Sequence, residues 1–276
     1  MSSLSRTGNC SFPLLRFCDS EGMGNVVVKI VIISDLHANA EALAVIPDDY
    51  DQLWVLGDLV NYGPNPREVV EFVRDQASQV VRGNHDHAIA CGDDPRCVGR
   101  FRELAEATRR FTENRLAPAD RGYLGGLPLQ VELQIDQTRF WLCHALPSDP
   151  LFGYAPGDSP RWRQECERLH ADILLVGHTH TPFLKKFGHC LVVNPGSLGQ
   201  PKNRNGLASY AVWEDGNLSL RQTAYALEIT VAKVEAMPVE EGIRKDLVTL
   251  LRTGHLPESA SLDGTSVPPQ TRPLAC

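Results

Sequence analysis

The sequence predicts a single α/β domain, and three observations predict it. In the first half, β-branched apolar runs alternate with segments whose apolar residues recur at helical spacing, as consecutive βα units do. In the second half, short apolar runs are separated by turn residues such as Asp215-Gly216-Asn217, the pattern of antiparallel strands. No linker divides the halves, and short polar words rich in Asp, His and Asn follow apolar runs in both. A chain of 276 residues could make one large domain or two small ones. Polar words drawn from both halves favour one, with its ligand site at the carboxyl ends of the strands.

The elements follow in order. Residues 26–34 form a buried strand, almost wholly β-branched, with Lys29 its only charge. A short helix at 40–46 is stopped by Pro47. Strand 52–56 ends in Gly57-Asp58, and a helix runs from Asn65-Pro66 to Gln76 with Pro66 at a permitted first-turn position. Strand 78–82 delivers Gly83-Asn84-His85-Asp86. Helix 100–116 is amphipathic, with Phe101, Leu104, Ala105, Thr108 and Phe111 on the packed face. A hairpin, 129–135 and 139–143, leads into His144. Helix 159–170 follows, with Ser159 as cap and Pro160 as first residue. Strand 173–176 then ends at Gly177-His178-Thr179-His180. Runs 183–187, 191–193, 208–213 and 218–223 are expected as antiparallel strands, and 229–236 and 240–252 as helices. The expected organisation is a leader without fixed structure at 1–25, a domain at 26–236, and a helix with a flexible tail at 237–276. Met23 is an alternative start, because the first core strand begins just after it.

Composition narrows the class. The chain is 42% hydrophobic and 22% charged, the profile of a protein that buries a core. A net charge of -7 gives no electrostatic reason to expect a nucleic-acid polymer as partner. No apolar stretch approaches the ~20 residues that span a bilayer, and no signal-peptide pattern is present. The eight cysteines form no C-x-x-C pair and no regular framework, which favours a reduced, cytoplasmic setting over a disulfide scaffold. Cys91 and Cys97 flank a turn and read more readily as unconnected residues than as a redox pair.

Five words carry chemistry: Asp35-Leu36-His37, Gly57-Asp58, Gly83-Asn84-His85-Asp86, His144, and Gly177-His178-Thr179-His180. Their carboxylates, imidazoles and one amide oxygen suffice for two divalent cations side by side. Two cations that close need an anionic bridge, which a carboxylate supplies and an imidazole does not; Asp58 is the expected bridge. Asp35 and His37 can reach one metal if the backbone turns between them, His178 and His180 can split between two, and Asn84 adds a neutral oxygen. The mixed oxygen and nitrogen set suits manganese, iron, nickel or zinc better than calcium or magnesium, and manganese is the cation expected first. His144, alone after a strand, is the weakest signal of the set.

This ordered set resembles the calcineurin-like metallophosphoesterase superfamily, whose pattern runs D-x-H, G-D, G-N-H-D/E, H, G-H-x-H. All five blocks are intact, and the resemblance covers residues 26–225. It implies a four-layer α/β/β/α sandwich with two mixed β-sheets, and a phosphoric ester hydrolase. It implies Asp35, His37, Asp58 and His180 on one metal and Asp58, Asn84, His144 and His178 on the other, with a bridging hydroxide as nucleophile. By the same mapping His85 protonates the leaving oxygen or stabilises the transition state, and Asp86 orients it. The strings from Ser34 to Asn39, from Gly57 to Pro64 and from Asn194 to Ser197 resemble the small bacterial and archaeal phosphodiesterases. Protein phosphatases and symmetrical diadenosine tetraphosphatases carry Asp-Arg-Gly where this chain has Asn61-Tyr62-Gly63, so a phosphate-gripping arginine is missing there.

The resulting expectation is hydrolysis of a small phosphodiester, or a monoester, with a nucleotide among the candidates. The alternatives are a phosphatase of protein or dinucleoside polyphosphate, and a non-catalytic platform like the retromer subunit of this fold, which lacks the full ligand set. Asn39, Asn61, Tyr62, Arg82, Lys202 and Arg204 are candidate substrate contacts. Asn39 lies next to a ligand, and the other five have plainer readings: Arg82 as a salt bridge, Asn61 and Tyr62 as a turn before Gly63-Pro64, and Lys202 and Arg204 as part of an exposed loop at 194–206. The oligomeric state is not encoded in any of these features.

Overall fold

A computed structural model describes residues 28–203 and 205–256. The leader at 1–25, the alternative start at Met23, Arg204 and the tail beyond 256 lie outside the described residues. Among the described residues ten strands form two mixed five-stranded sheets. The first contains β1 (Lys29–Ile33), β2 (Gln52–Val55), β3 (Gln79–Val80), β9 (Ala208–Glu214) and β10 (Asn217–Thr223), in the order β10-β9-β1-β2-β3. The second contains β4 (Gln130–Ile135), β5 (Thr138–Cys143), β6 (Ile173–Leu175), β7 (Phe183–Phe187) and β8 (Cys190–Asn194), in the order β4-β5-β6-β8-β7. β1, β2 and β3 run parallel, as do β5, β6 and β8. β8 was expected to be antiparallel throughout; it is antiparallel only to β7.

Strand alternation builds the layers. Ile30, Ile32, Trp54 and Leu56 of the first sheet pack against Phe140, Leu142, Ile173, Leu175 and Val193 of the second. Their neighbours Val31, Ile33, Leu53 and Val55 point the other way and meet α1 (Pro66–Gln76) and the segments beside it. Cys143, Leu174 and Val192 point out of the second sheet onto Trp162 and Cys166 of α5 (Arg161–Arg168). The result is helix, sheet, sheet, helix, the sandwich that the sequence led us to expect. At the centre of the sheet interface the Phe140 ring stands edge-on to Trp54 at 5.1 Å and to Trp213 at 5.6 Å. Phe140→Ala is expected to lower unfolding free energy by about 3–5 kcal/mol, read from denaturant midpoints; a change below about 1 kcal/mol would mean this interface is not the main core.

Two helices are additions to the sequence reading. α2 (Asn84–Cys91) begins at the third polar word, and α4 (Pro118–Gly126) follows α3 (Arg100–Arg115). Three glycines in α4 mask its helical pattern, since each weakens a helix by about 1 kcal/mol. Gly125 sits against Ala90 of α2, where a small residue lets the helices meet. The helix expected at 40–46 is a 3-10 helix, Ala40–Val45. β3 is shorter than expected because Arg82 N–H leaves the ladder to donate to Pro128. α6 (Leu227–Glu235) and α7 (Glu241–Thr253) bury Val231, Val234, Ile243, Leu247 and Leu251 against α3 and Tyr62, so they form the back wall of the site. Among the described residues no helix is long and apolar enough to cross a membrane.

Candidate metal centre

Parallel strands carry their carboxyl ends to one edge, and the polar words sit there: after β1, β2 and β3 in one sheet, and after β5 and β6 in the other. His178 N–H donates to Asp35 Oδ2 at 3.1 Å, and Gly177 N–H to the His144 carbonyl at 2.8 Å, joining the words to one another. Turning the backbone sharply after each strand has a conformational cost. Asp35, His37, Asp58, His178 and His180 all adopt positive φ, between 42° and 67°, a region that costs a non-glycine residue about 1 kcal/mol or more. The glycines before the ligands are set by close approach. A Cβ on Gly83 would lie 2.1 Å from Asp58 Oδ1, and one on Gly177 would lie 2.0 Å from Ser34 Oγ.

Two groups of ligand atoms result, each within 4.8 Å: Asp35, His37, Asp58 and His180, and Asp58, His144 and His178. Asp58 belongs to both. Asn84 Oδ1 joins the second group, 3.0 Å from His144 Nε2 and 3.1 Å from His178 Nδ1. The Asn84 amide is oriented by its own Nδ2, which donates to the Pro95 carbonyl at 2.8 Å.

The donor chemistry of this cluster fits cations. His37 Nδ1 donates to the Val60 carbonyl at 3.2 Å and His180 Nδ1 to the Gln200 carbonyl at 2.7 Å. Both Nε2 atoms therefore carry lone pairs, and they face each other at 3.1 Å. Burial drives the His180 ring well below its usual pKa, and pushes His37 down to about 3 against the upward pull of Asp58. Burial and the charge of His144 push His178 down to about 3. Facing lone pairs of neutral rings repel unless a positive charge lies between them. Asp35 Oδ1, buried 3.3 Å from His180 Nε2, has no hydrogen-bond donor among the described residues. Burial opposes charge on Asp58, yet the surrounding His144, His85 and His37 hold its carboxyl well below the usual range. Burial also opposes charge on His144, but Asp58 lifts it to about 9, so this one ring takes a proton where a cation would otherwise supply the charge.

His85 stands beside the cluster, its backbone N–H donating to Asp58 Oδ1 at 2.9 Å. The expectation that Asp86 orients its ring is corrected here. The Asp86 carboxylate accepts from the backbone N–H groups of Asp58, Leu59 and Gly83, at 2.8, 2.8 and 3.0 Å. It caps α2 and fixes the Asp58 turn. The ring partner is Asn61, whose Nδ2 donates to His85 Nδ1 at 3.1 Å while its Oδ1 accepts from Thr108 at 2.7 Å. That fixes the His85 proton on Nε2, which points to Cys97 Sγ at 3.4 Å. Burial pushes the His85 ring down to about 4.

The candidate substrate contacts divide. Lys202 and Tyr62 line a cavity of about 310 Å³ over the ligands. The Tyr62 ring, however, is buried edge-on against His37, and its hydroxyl donates to the Phe101 carbonyl, so it is a wall and not a free stacking surface. Asn39 is corrected to a structural tie: its amide donates to Gly199 and Tyr225 and accepts from Ala42 N–H and Thr230. Asn61 acts through His85, and Arg82 does not line the cavity. Cys97, Phe152 and Tyr154, also on the cavity wall, come from connecting segments whose course no local pattern reveals, whereas Phe101 reaches the wall from the first turn of α3.

The fold and the clustered ligands define a metal-dependent hydrolase of the type the sequence suggested. The model of the calcineurin-like phosphoesterase superfamily domain matches residues 28–215, so the chain belongs to that superfamily and is a phosphoric ester hydrolase. An uncharacterised protein of Methanocaldococcus jannaschii is 28% identical over 83% of this chain and 94% of its own. The phosphodiesterase YfcE of Escherichia coli K12 is 27% identical over 70% of this chain and 91% of its own. Among solved structures, a metallophosphoesterase from Sphaerobacter thermophilus is 28% identical with a TM-score of 0.69, covering 80% of this chain and 98% of its own.

Proposed function

We propose that the protein hydrolyses a small phosphodiester with two divalent cations held by the ligands described above. The supporting observation is the pair of ligand groups that share Asp58, together with the unshielded facing nitrogens of His37 and His180. Asp35, His37, Asp58 and His180 would hold one cation, and Asp58, Asn84, His144 and His178 the other. When bound, such a pair neutralises phosphate charge and makes hydroxide available near neutral pH. Manganese is our first choice for loading the site, and the mix of imidazole with carboxylate and amide oxygen suits iron, nickel or zinc as well.

The chain's own residues do the rest. Lys202, half-buried on the cavity wall, places a cation where a non-bridging phosphate oxygen would lie, substituting for the arginine absent at Tyr62. His85, neutral and with its proton on Nε2, offers that proton to the leaving oxygen. Asn61 keeps it there by occupying Nδ1. Asn61→Ala is expected to lower kcat about 10-fold with KM and metal content little changed, because the imidazole can then adopt the wrong tautomer. Unchanged kcat would remove Asn61 from the account.

The diester is favoured by the likeness of the strings from Ser34 to Asn39, from Gly57 to Pro64 and from Asn194 to Ser197 to small phosphodiesterases. The test compares hydrolysis of bis-p-nitrophenyl phosphate and p-nitrophenyl phosphate by manganese-loaded protein. Diester turnover at or above monoester turnover supports the reading, and clear monoester preference replaces it with a phosphatase. The same loaded protein, if inert toward both, would support the protein-binding platform instead.

A further inference from the structure

The cavity over the metal ligands has two chemically different ends. Its floor is Asp58, Asn84, His178 and His180, and Lys202 borders it. Its mouth is apolar and aromatic, built by Phe101, Phe152, Tyr154 and Val98. Four large hydrophobic side chains stand out as exposed among the described residues, and two of them, Val98 at 80% and Tyr154 at 59%, line this one cavity. Exposed apolar side chains gathered at one concave spot mark a place that something covers.

The geometry points to a planar base as the group that covers it. The Tyr154 ring stands 5.9 Å from the His178 imidazole and inclined at 70°, so it rises from the edge of the metal floor instead of lying flat on it. Its backbone is anchored, the carbonyl accepting from Arg161 Nη1 at 3.2 Å. On the wall of the same cavity the Arg96 guanidinium lies over the Phe152 ring, 4.0 Å from the centroid, presenting a flat cation–π pair. Flat rings and a flat guanidinium suit a flat heteroaromatic ligand. An acyl chain would gain nothing from the cation and would need a longer apolar tunnel. At about 310 Å³ the cavity lies at the small end of the roughly 300–1,000 Å³ usual for ligand pockets, room for one nucleotide unit and not for a polymer.

We infer that Tyr154, with Arg96 and Phe152, forms a nucleobase subsite, so that the substrate is a nucleotide ester whose phosphate lies on the floor and whose base stacks at the mouth. This rests on the phosphoester reading above, which supplies the phosphate end. Tyr154 is a specificity-determining residue in this scheme and takes no part in bond breaking.

The test uses the manganese-loaded full chain and calorimetric titration with adenosine 5′-monophosphate and ribose 5-phosphate, which differ only by the base. Wild type is expected to bind the nucleotide about 10-fold more tightly or better, the size of one base–aromatic stack. Tyr154→Ala should bring the two affinities together by weakening the nucleotide alone, and Tyr154→Phe should restore the difference. Equal affinities in wild type would overturn the subsite, as would a preference that survives Tyr154→Ala. Ribose 5-phosphate binding that does not depend on manganese would instead remove the phosphoester reading, and the subsite with it. Because Tyr154 is exposed, its replacement leaves the core intact and the comparison interpretable.

Discussion

Asp58→Asn is expected to empty the site. Manganese content should fall below one ion per chain, and diester turnover should fall by at least about 10²–10³-fold, as when a principal charge-stabilising group is lost. The reason is specific to this position. Asp58 is the residue common to both ligand groups, with Oδ2 3.3 Å from His144 Nε2 and 3.7 Å from His37 Nε2. Asparagine preserves the shape but removes the negative charge between two cations, so their mutual repulsion is no longer offset. A second readout separates this from misfolding. In wild type, manganese at about 100 times its dissociation constant should stabilise the fold by about 2.7 kcal/mol for each ion bound. For a domain of this size that raises Tm by about 5–10 °C per ion. The variant should keep a cooperative transition and lose the manganese-induced rise. Two tightly held ions in Asp58→Asn would show that the shared ligand is another residue.

His85→Ala should have the opposite profile, with full metal content and turnover lowered by about 10²-fold or more, the usual contribution of a positioned proton donor. His85 does not belong to either ligand group, and its Nε2 faces the cavity toward Cys97. Its loss therefore removes the donor to the leaving oxygen without opening the metal floor. The effect should depend on the leaving group, being largest for poor ones that need a proton and smallest for p-nitrophenolate. An equal loss across leaving groups would assign His85 to binding and not to departure of the leaving oxygen. Equal turnover in variant and wild type would take it out of the mechanism.

Most of the fold was legible because strand alternation and strand ends are written locally. Ile30 and Ile32 against Val31 and Ile33, and Phe140 and Leu142 against Trp141 and Cys143, carry the two-faced pattern that stacks one sheet on another. The ligands were legible because their words follow strand ends; Asp35, His37, Asp58, His178 and His180 stand there at positive φ, while Asn84 opens a helix. The third word hid a helix start: Gly83 and Asp86 have the spacing of an N-cap and its third helical residue, and that signal was there to be read. Asp86 consequently serves the backbone, and the residue that holds the His85 ring, Asn61, comes from the loop just after the second word. Sequence spacing cannot reveal such a contact, because Asn61 and His85 meet only after β2 and β3 are laid side by side. The same holds for Asn39, which looked like a neighbour of the metals and is instead a buried cap tied to Thr230 of α6. The mouth of the cavity was least legible, since Arg96, Phe152 and Tyr154 lie in connecting segments without periodicity.

Whether two cations act together is decided by diester hydrolysis with metal-stripped protein as manganese is added back in measured equivalents. The two-cation site predicts no turnover without metal and a rise that reaches its plateau at two bound ions per chain. Turnover in the stripped protein, or a plateau at a single ion, would contradict it.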